Sequence, residues 1–212
     1  MAYCVYSDVN LMTNVTNSDV ANADVTSLIT EATRELNGFI NVRITREMID
    51  YIDETRENKI DGSNTTYYVR NWRGKYLADM NNDGSITIAD IIVYAVDSNG
   101  TETTPTISSI DATNGKFVLS SAPSSDYDLY VTYEWCYRDP TTPDPLIKLA
   151  CVLLTASYCY AKINVGRAPQ QSWGNVRLYR HMESFDRYYR RFLDVVNQIN
   201  NKMIDYREAE TL

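Results

Sequence analysis

The sequence predicts an α+β fold: a helical bundle formed by the N- and C-terminal parts of the chain, with a small antiparallel β module inserted between them. Three observations carry this expectation. Apolar residues recur at spacings of three and four near both ends of the chain, the period of an amphipathic helix. From Thr65 to Trp135 the pattern changes to β-branched and aromatic runs broken by turn dipeptides such as Asn99-Gly100 and Asn114-Gly115. With 44% apolar content in 212 residues, the chain can bury a core of its own.

The first helix is predicted over Asn22 to Ile40, where Val25, Leu28, Ile29, Ala32, Leu36 and Phe39 share one face. Asn22 suits the N-cap, and Asp24 lies in the positive first turn. A second helix is expected to open at Thr45 with Met48, Ile49 and Ile52 inward, dissolving in the charged stretch DETRENK before the turn Asp61-Gly62-Ser63. The N-terminal helical part of the core is thus drawn over 1–63.

Strands are predicted at Thr66 to Val69, Ile91 to Val96, Thr106 to Ile110, Lys116 to Leu119 and Leu129 to Trp135, which places the β module at 64–140. In the last of these, Leu129, Val131 and Tyr133 alternate with Tyr130, Thr132 and Glu134, the mark of a half-buried strand. The C-terminal helical part, 141–204, opens at Asp144-Pro145, since proline suits the first helical turn. Its run to Ile163 is apolar nearly all round and reads as the central helix of a bundle rather than a membrane span. After a loop over Gly166 to Gly174, a long helix is expected from Asn175 to Met203. Leu178, Phe185, Tyr189, Phe192, Val196 and Met203 fall on one arc, and Arg177, Arg180, Arg187 and Arg191 on another. The remainder, 205–212, reads as a flexible or docking tail.

A net charge of -8 argues against a protein that grips phosphate backbones, which requires clustered Lys and Arg. The four cysteines, Cys4, Cys136, Cys151 and Cys159, form no C-x-x-C pair and read as buried thiols of a reducing compartment. The opening MAYCVYSDVNLM lacks the basic and apolar regions of a secretory leader, so the Asn-x-Thr triplets at Asn14, Asn64 and Asn99 are not expected to be glycosylated.

One stretch, DMNNDGSITIAD, has the spacing of a calcium loop. Asp79, Asn81, Asp83, Ser85, Thr87 and Asp90 stand at positions 1, 3, 5, 7, 9 and 12, with Gly84 at the sharp turn and Ile86 at the apolar eighth position. Calcium takes six or more oxygen ligands, and this spacing supplies them from one short wrap of chain. Asp90 is shorter than the usual Glu at position 12, and a strand follows the loop, which suits a structural Ca2+ better than a sensor. The alternative is a β connection whose Asp and Asn side chains simply cap backbone groups.

The chain-wide order resembles a known family. MAYCVYSDVNLM, then the helix ADVTSLITEATRELNGFI, then ATNGKFVLSSAPSSDYDLYVTYEW in the β region, then PDPLIKLACVLLTASYCY and a long amphipathic helix, is similar to the layout of head-tail connector (adaptor or head-completion) proteins of tailed phages and related viruses. The resemblance rests on layout and loose motifs across most of the chain. It implies a virion protein without catalytic activity, assembled in the host cytoplasm. Such a protein forms a homo-oligomeric ring, a dodecamer, beneath the portal protein at the capsid-tail junction. A stopper or tail-side neck protein binds its far end, and viral DNA passes through without specific binding; no membrane is involved. An acidic chain agrees with a lumen along which DNA slides, and a ring contact demands two different complementary patches on each subunit. The arginine stripe Arg177, Arg180, Arg187 and Arg191 is then a candidate partner surface. Its alternative is a solvated helix face balanced by Glu183, Asp186 and Asp194.

Other chemistry is sparse. His181 reads as a packing residue, and no Ser/His/Asp set, phosphate loop or Cys/His metal spacing is evident. Seventeen tyrosines suit core and interface positions, where the ring buries area and the hydroxyl keeps a partner. A calcium-stabilised binding or adhesion module is the competing reading.

Overall fold

A computed structural model describes residues 2–49, 58–70, 76–136, 139, 144–166, 172–173, 176–177 and 180–209, with the backbone alone described over 164–183 and 201–209. The fold is α+β, as predicted, and the chain divides into two compact units: Ala2–Ile40 with Pro143–Leu212, and Asn41–Thr142.

The first unit is helical. It contains α1 (Tyr6–Thr13), α2 (Asn22–Ile40), α3 (Pro145–Gly166) and α4 (Arg180–Ala209). α2 has the bounds its periodicity predicts, and Val25, Ile29, Ala32, Leu36 and Ile40 are buried along it. Asn22 is its first helical residue rather than its cap, and donates its backbone N–H to Asn17 Oδ1 at 2.8 Å. Phe39, expected inward, stays at the rim and meets Phe192 edge-on at 5.5 Å.

α3 starts where Asp144-Pro145 predicts: Asp144 Oδ1 accepts the Leu146 N–H at 2.8 Å and caps the helix. By length and composition this helix can cross a membrane, with a mean hydropathy of 1.5 over Pro145–Ile163. In the structure it packs against α1, α2 and α4 and buries Ile147, Ala150, Leu153, Leu154 and Cys159. α4 completes this core with Phe192, Val195, Val196 and Ile199.

α1 is a helix that periodicity does not announce. Asp8 accepts the Val5 N–H at 3.0 Å at its start, and Asn14 ends it in the left-handed conformation, φ 55°. Its last carbonyls are satisfied from far along the chain. Tyr160 donates to Thr13 O at 3.1 Å and Tyr188 to Met12 O at 3.2 Å, the two rings stacked at 5.5 Å.

The second unit is built of strands: β1 (Val42–Met48), β2 (Thr66–Tyr68), β3 (Tyr76–Leu77), β4 (Ile91–Val96), β5 (Glu102–Thr103), β6 (Ile107–Asp111), β7 (Lys116–Leu119) and β8 (Asp128–Cys136). One antiparallel sheet runs β1-β8-β4-β5, with β3 also on β8; the other runs β2-β7-β6. Their inward faces form one core, with Tyr67 stacked on Phe117 at 5.8 Å opposite Val93, Leu129, Val131 and Tyr133. As the alternation predicts, Leu129, Val131 and Tyr133 are fully buried.

Three expectations are corrected. The helix predicted from Thr45 is strand β1 through Met48, so the β unit starts at Asn41 rather than 64; Ile52 and residues 53–57 lie outside the described residues. A bulge between Ile44 and Glu47 is the reason the strand was hidden. Val42 and Ile44 face the core, the extra residue shifts the phase, and Ile49 then points inward while Met48 does not, which mimics helical spacing. Second, the last helix does not end at Met203 but continues to Ala209, into the stretch read as a flexible or docking tail; residues 210–212 lie outside the described residues. Third, α4 begins at Arg180, not Asn175. Ahead of it Ser172–Trp173 (β9) pairs antiparallel with Val176–Arg177 (β10), within and just after the predicted loop.

Candidate functional site

The loop with calcium spacing links β3 to β4, both of which pair with β8. Each of its acidic side chains holds backbone. Asp79 Oδ2 accepts the Gly84 N–H at 2.8 Å and its Oδ1 the Asp83 N–H at 3.2 Å. Asn81 Oδ1 also accepts the Asp83 N–H, at 2.9 Å, and Asp83 Oδ1 the Ser85 N–H at 2.8 Å. Asp90 joins the two ends of the wrap: Oδ1 accepts the Asn81 N–H at 3.1 Å and Oδ2 the Thr87 N–H at 2.7 Å. Thr87 Oγ1 accepts the Ala89 N–H at 3.2 Å and starts the single 3-10 turn Ile88–Asp90 that leads into β4. The reversal is made at Asn82 (φ 57°) and Gly84 (φ 90°); Gly84 stands where the sequence requires a sharp turn.

The electrostatics are unbalanced. Asp79 and Asp90 are buried, at 6% and 2% exposure, and among the described residues neither forms an ion pair with Lys or Arg. Burial raises the Asp90 carboxyl above the ordinary range, the nearby Asp79 charge adds to this, and the Thr87 and Asn81 amides only partly offset it. A third carboxylate, Glu134 on β8, is also raised by burial, with further contributions from Asp79 and Asp90. It accepts the Asn41 Nδ2–H at 3.3 Å. The sequence gives no hint of Glu134, which reaches this neighbourhood only through the β3–β8–β4 pairing.

Among the described residues, no three His, Cys, Asp or Glu side chains converge as a preformed metal cage. The loop's donor chemistry nonetheless suits a hard dication: an oxygen-only set of Asp79, Asn81, Asp83, Ser85, Thr87 and Asp90, with Asp79 and Asp90 buried and without a cationic partner among the described residues. A carboxylate has about four acceptor sites, so those bonded to one or two amides keep capacity for an ion.

The arginine stripe is divided. Arg177 is on β10, paired with Ser172, and so is not on the helix at all. The side chains of Arg180 and His181 lie outside the described residues. Arg187 and Arg191 are exposed on α4 beside Arg190, and line a shallow surface groove with Asp186 and Asp194. Three arginines against two aspartates leave that groove a charge of +1 (3 − 2), so it is a mixed surface rather than a strong anion site.

Sequence reasoning missed a second feature of the β unit. At the β1 bulge Arg46 has a left-handed backbone, φ 55°, and its N–H donates to Thr132 Oγ1 at 3.0 Å. Its guanidinium lies 4.7 Å from the Tyr94 ring centre and 5.6 Å from that of Tyr130, a directly cross-strand pair, and bonds Glu102 at 2.5 Å. The adjacent Glu47 accepts the Tyr133 hydroxyl and the Arg70 N–H, both at 3.0 Å. This is an anchored bulge. No protein-family model matches the chain, and no curated protein does.

Proposed function

We propose that this chain is a structural subunit of a homo-oligomeric ring, a dodecamer by resemblance, that joins a viral capsid to its tail beneath the portal and continues the DNA channel. The observation that carries the reading is the division of the chain: helices from both ends form one unit, and residues 41–142 form a separate β unit emitted between them. That arrangement suits a ring subunit whose helices pack side by side while the β unit serves a neighbouring component. The acidic composition supports it, since a negative lumen repels rather than binds DNA. Exposed Arg187, Arg190 and Arg191 with Asp186 and Asp194 supply paired charges of both signs, the kind of surface that fixes the register of one protein on another. The portal on one side and a stopper or tail-side protein on the other are the partners, and the subunit carries out no reaction.

Within this reading the 79–90 loop binds a structural Ca2+, which offsets the charge of Asp79, Asp83 and Asp90 and stiffens the connection between β3 and β4.

Electron microscopy of the purified full chain, alone and mixed with a portal protein from the same genome, tests the proposal. A ring with a central channel, or a ring formed on the portal, is the expected result. A monomer at tens of micromolar that also ignores the portal defeats it.

A further inference from the structure

We propose that Cys4 and Cys151 are a redox-closable pair, converted by a low-molecular-weight disulfide such as oxidised glutathione into an intrachain disulfide that fastens the N-terminal segment to α3. Both thiols are free and buried, and they lie 147 positions apart in sequence. In the fold the Cys4 S–H donates to Cys151 Sγ at 3.2 Å. A disulfide bond is about 2.05 Å long, so closure needs the sulfurs to approach by only about 1.1 Å, within the reach of side-chain adjustment.

The other two thiols are placed differently. Cys136 belongs to the β unit, and burial holds Cys159 up to about 11 with only Lys162 opposing. At the proposed pair the shared proton is held by Cys4, while donation from Cys4, aided by the hydroxyls of Thr33 and Thr155, favours the thiolate at Cys151. Asp8 on α1, paired with Lys148 on α3 at 2.8 Å, is the neighbouring charge that acts on Cys4, and it adds to the hold on the Cys4 proton.

Access comes from local opening. Cys4 precedes α1 in a stretch without helix or strand, held by the Tyr3 hydroxyl on Asn37 Oδ1 at 2.7 Å, and such segments open at less cost than a packed helix. Once the segment opens, one protein thiolate attacks the glutathione disulfide, forming a mixed disulfide and releasing one glutathione. The second protein thiolate displaces the other glutathione. Two protein thiols lose two protons and two electrons, and one small disulfide is reduced to two thiols.

The test uses the full chain, reduced, desalted and incubated in native buffer with oxidised glutathione, followed by peptide mapping without reductant and by thermal melting. The expected product is one cross-linked peptide pair joining Cys4 to Cys151, with a melting midpoint raised by roughly 5–10 °C and restored on reduction. Cys4→Ser should lose both changes and Cys159→Ser should keep both. Stable glutathione adducts on either cysteine, a disulfide between any other pair, or four unreacted thiols would each overturn the proposal. The wild-type map decides the point even where a variant folds poorly.

Discussion

The carboxylate of Asp90 accepts the backbone N–H of Asn81 at 3.1 Å, tying the twelfth residue of the loop to its third. Its second oxygen holds the Thr87 N–H at 2.7 Å, so Asp90→Ala removes the partner of two amides in a partly buried place. Relief of the buried charge offsets part of the loss. A net destabilisation of about 1–3 kcal/mol is expected from urea unfolding at neutral pH without added metal. A change within a few tenths of a kcal/mol would mean that the loop does not depend on this tie.

Calcium binding makes a separate prediction. At a free concentration about 100 times its dissociation constant, the ion should stabilise the chain by about 2.7 kcal/mol, which raises the melting midpoint by roughly 5–10 °C. Calorimetric titration of the double variant Asp79→Ala, Asp83→Ala should show no heat of binding. Heat equal to that of the native chain would assign the ion elsewhere.

The loop was legible because its spacing is local, and the same holds for α2 and for β4 and β7, whose periodicity lies within the element itself. Elements held by distant partners were not. β1 is masked by the bulge at Arg46, and β3 and β5, two residues each, exist only through pairing with β8 and β4. α1 buries a single apolar side chain, Val9, and its end is held by Tyr160 and Tyr188, which no local pattern connects to it. The approach of Glu134 to Asp79 and Asp90 was hidden for the same reason, being a product of sheet register.

The helical unit predicts its own weak point. Phe192 is fully buried, with Phe39 at 5.5 Å and Tyr189 at 5.8 Å. Phe192→Ala should cost about 3–5 kcal/mol, the sum of lost transfer energy and an unfilled cavity, whereas Phe192→Leu should recover more than half of that. Chemical denaturation measures both. Equal losses in the two variants would show that ring packing, not volume, holds this part of the core.

At the β1 bulge the left-handed backbone of Arg46 can be separated from its side-chain contacts. Arg46→Ala and Arg46→Gly both remove the Glu102 ion pair and the stacking on Tyr94 and Tyr130, but only glycine relaxes φ 55°. Arg46→Ala should therefore melt below Arg46→Gly by roughly 2–4 °C. The reverse order would mean that the greater freedom of glycine in the unfolded chain outweighs the backbone strain.

The carboxylates of the β unit should titrate in two groups of opposite sign. Asp61 Oδ1 accepts the Asn64 N–H at 2.9 Å, the Ser63 hydroxyl at 2.8 Å and the Ser63 N–H at 2.9 Å, and these bonds lower the Asp61 carboxyl to about 2. Asp97 is lowered chiefly by the Thr101 amide, and Asp111 chiefly by the Asn114 side chain. Groups depressed in this way add stability above their unfolded value, about 3.9, which is lost as pH falls through the folded value. Asp90 and Glu134, raised by burial, act in the opposite sense: their contribution is present at low pH and is lost as pH rises through their elevated values. Carboxyl-carbon NMR across pH 1.5 to 7 without metal should find Asp61 titrating near the acid limit and Asp90 well above it, with Asp90 moving down when Ca2+ is added. If Asp61 and Asp90 titrated together, the contrast between a surface amide nest and a buried, uncompensated carboxylate would be lost, and with it the electrostatic case for an ion in the loop.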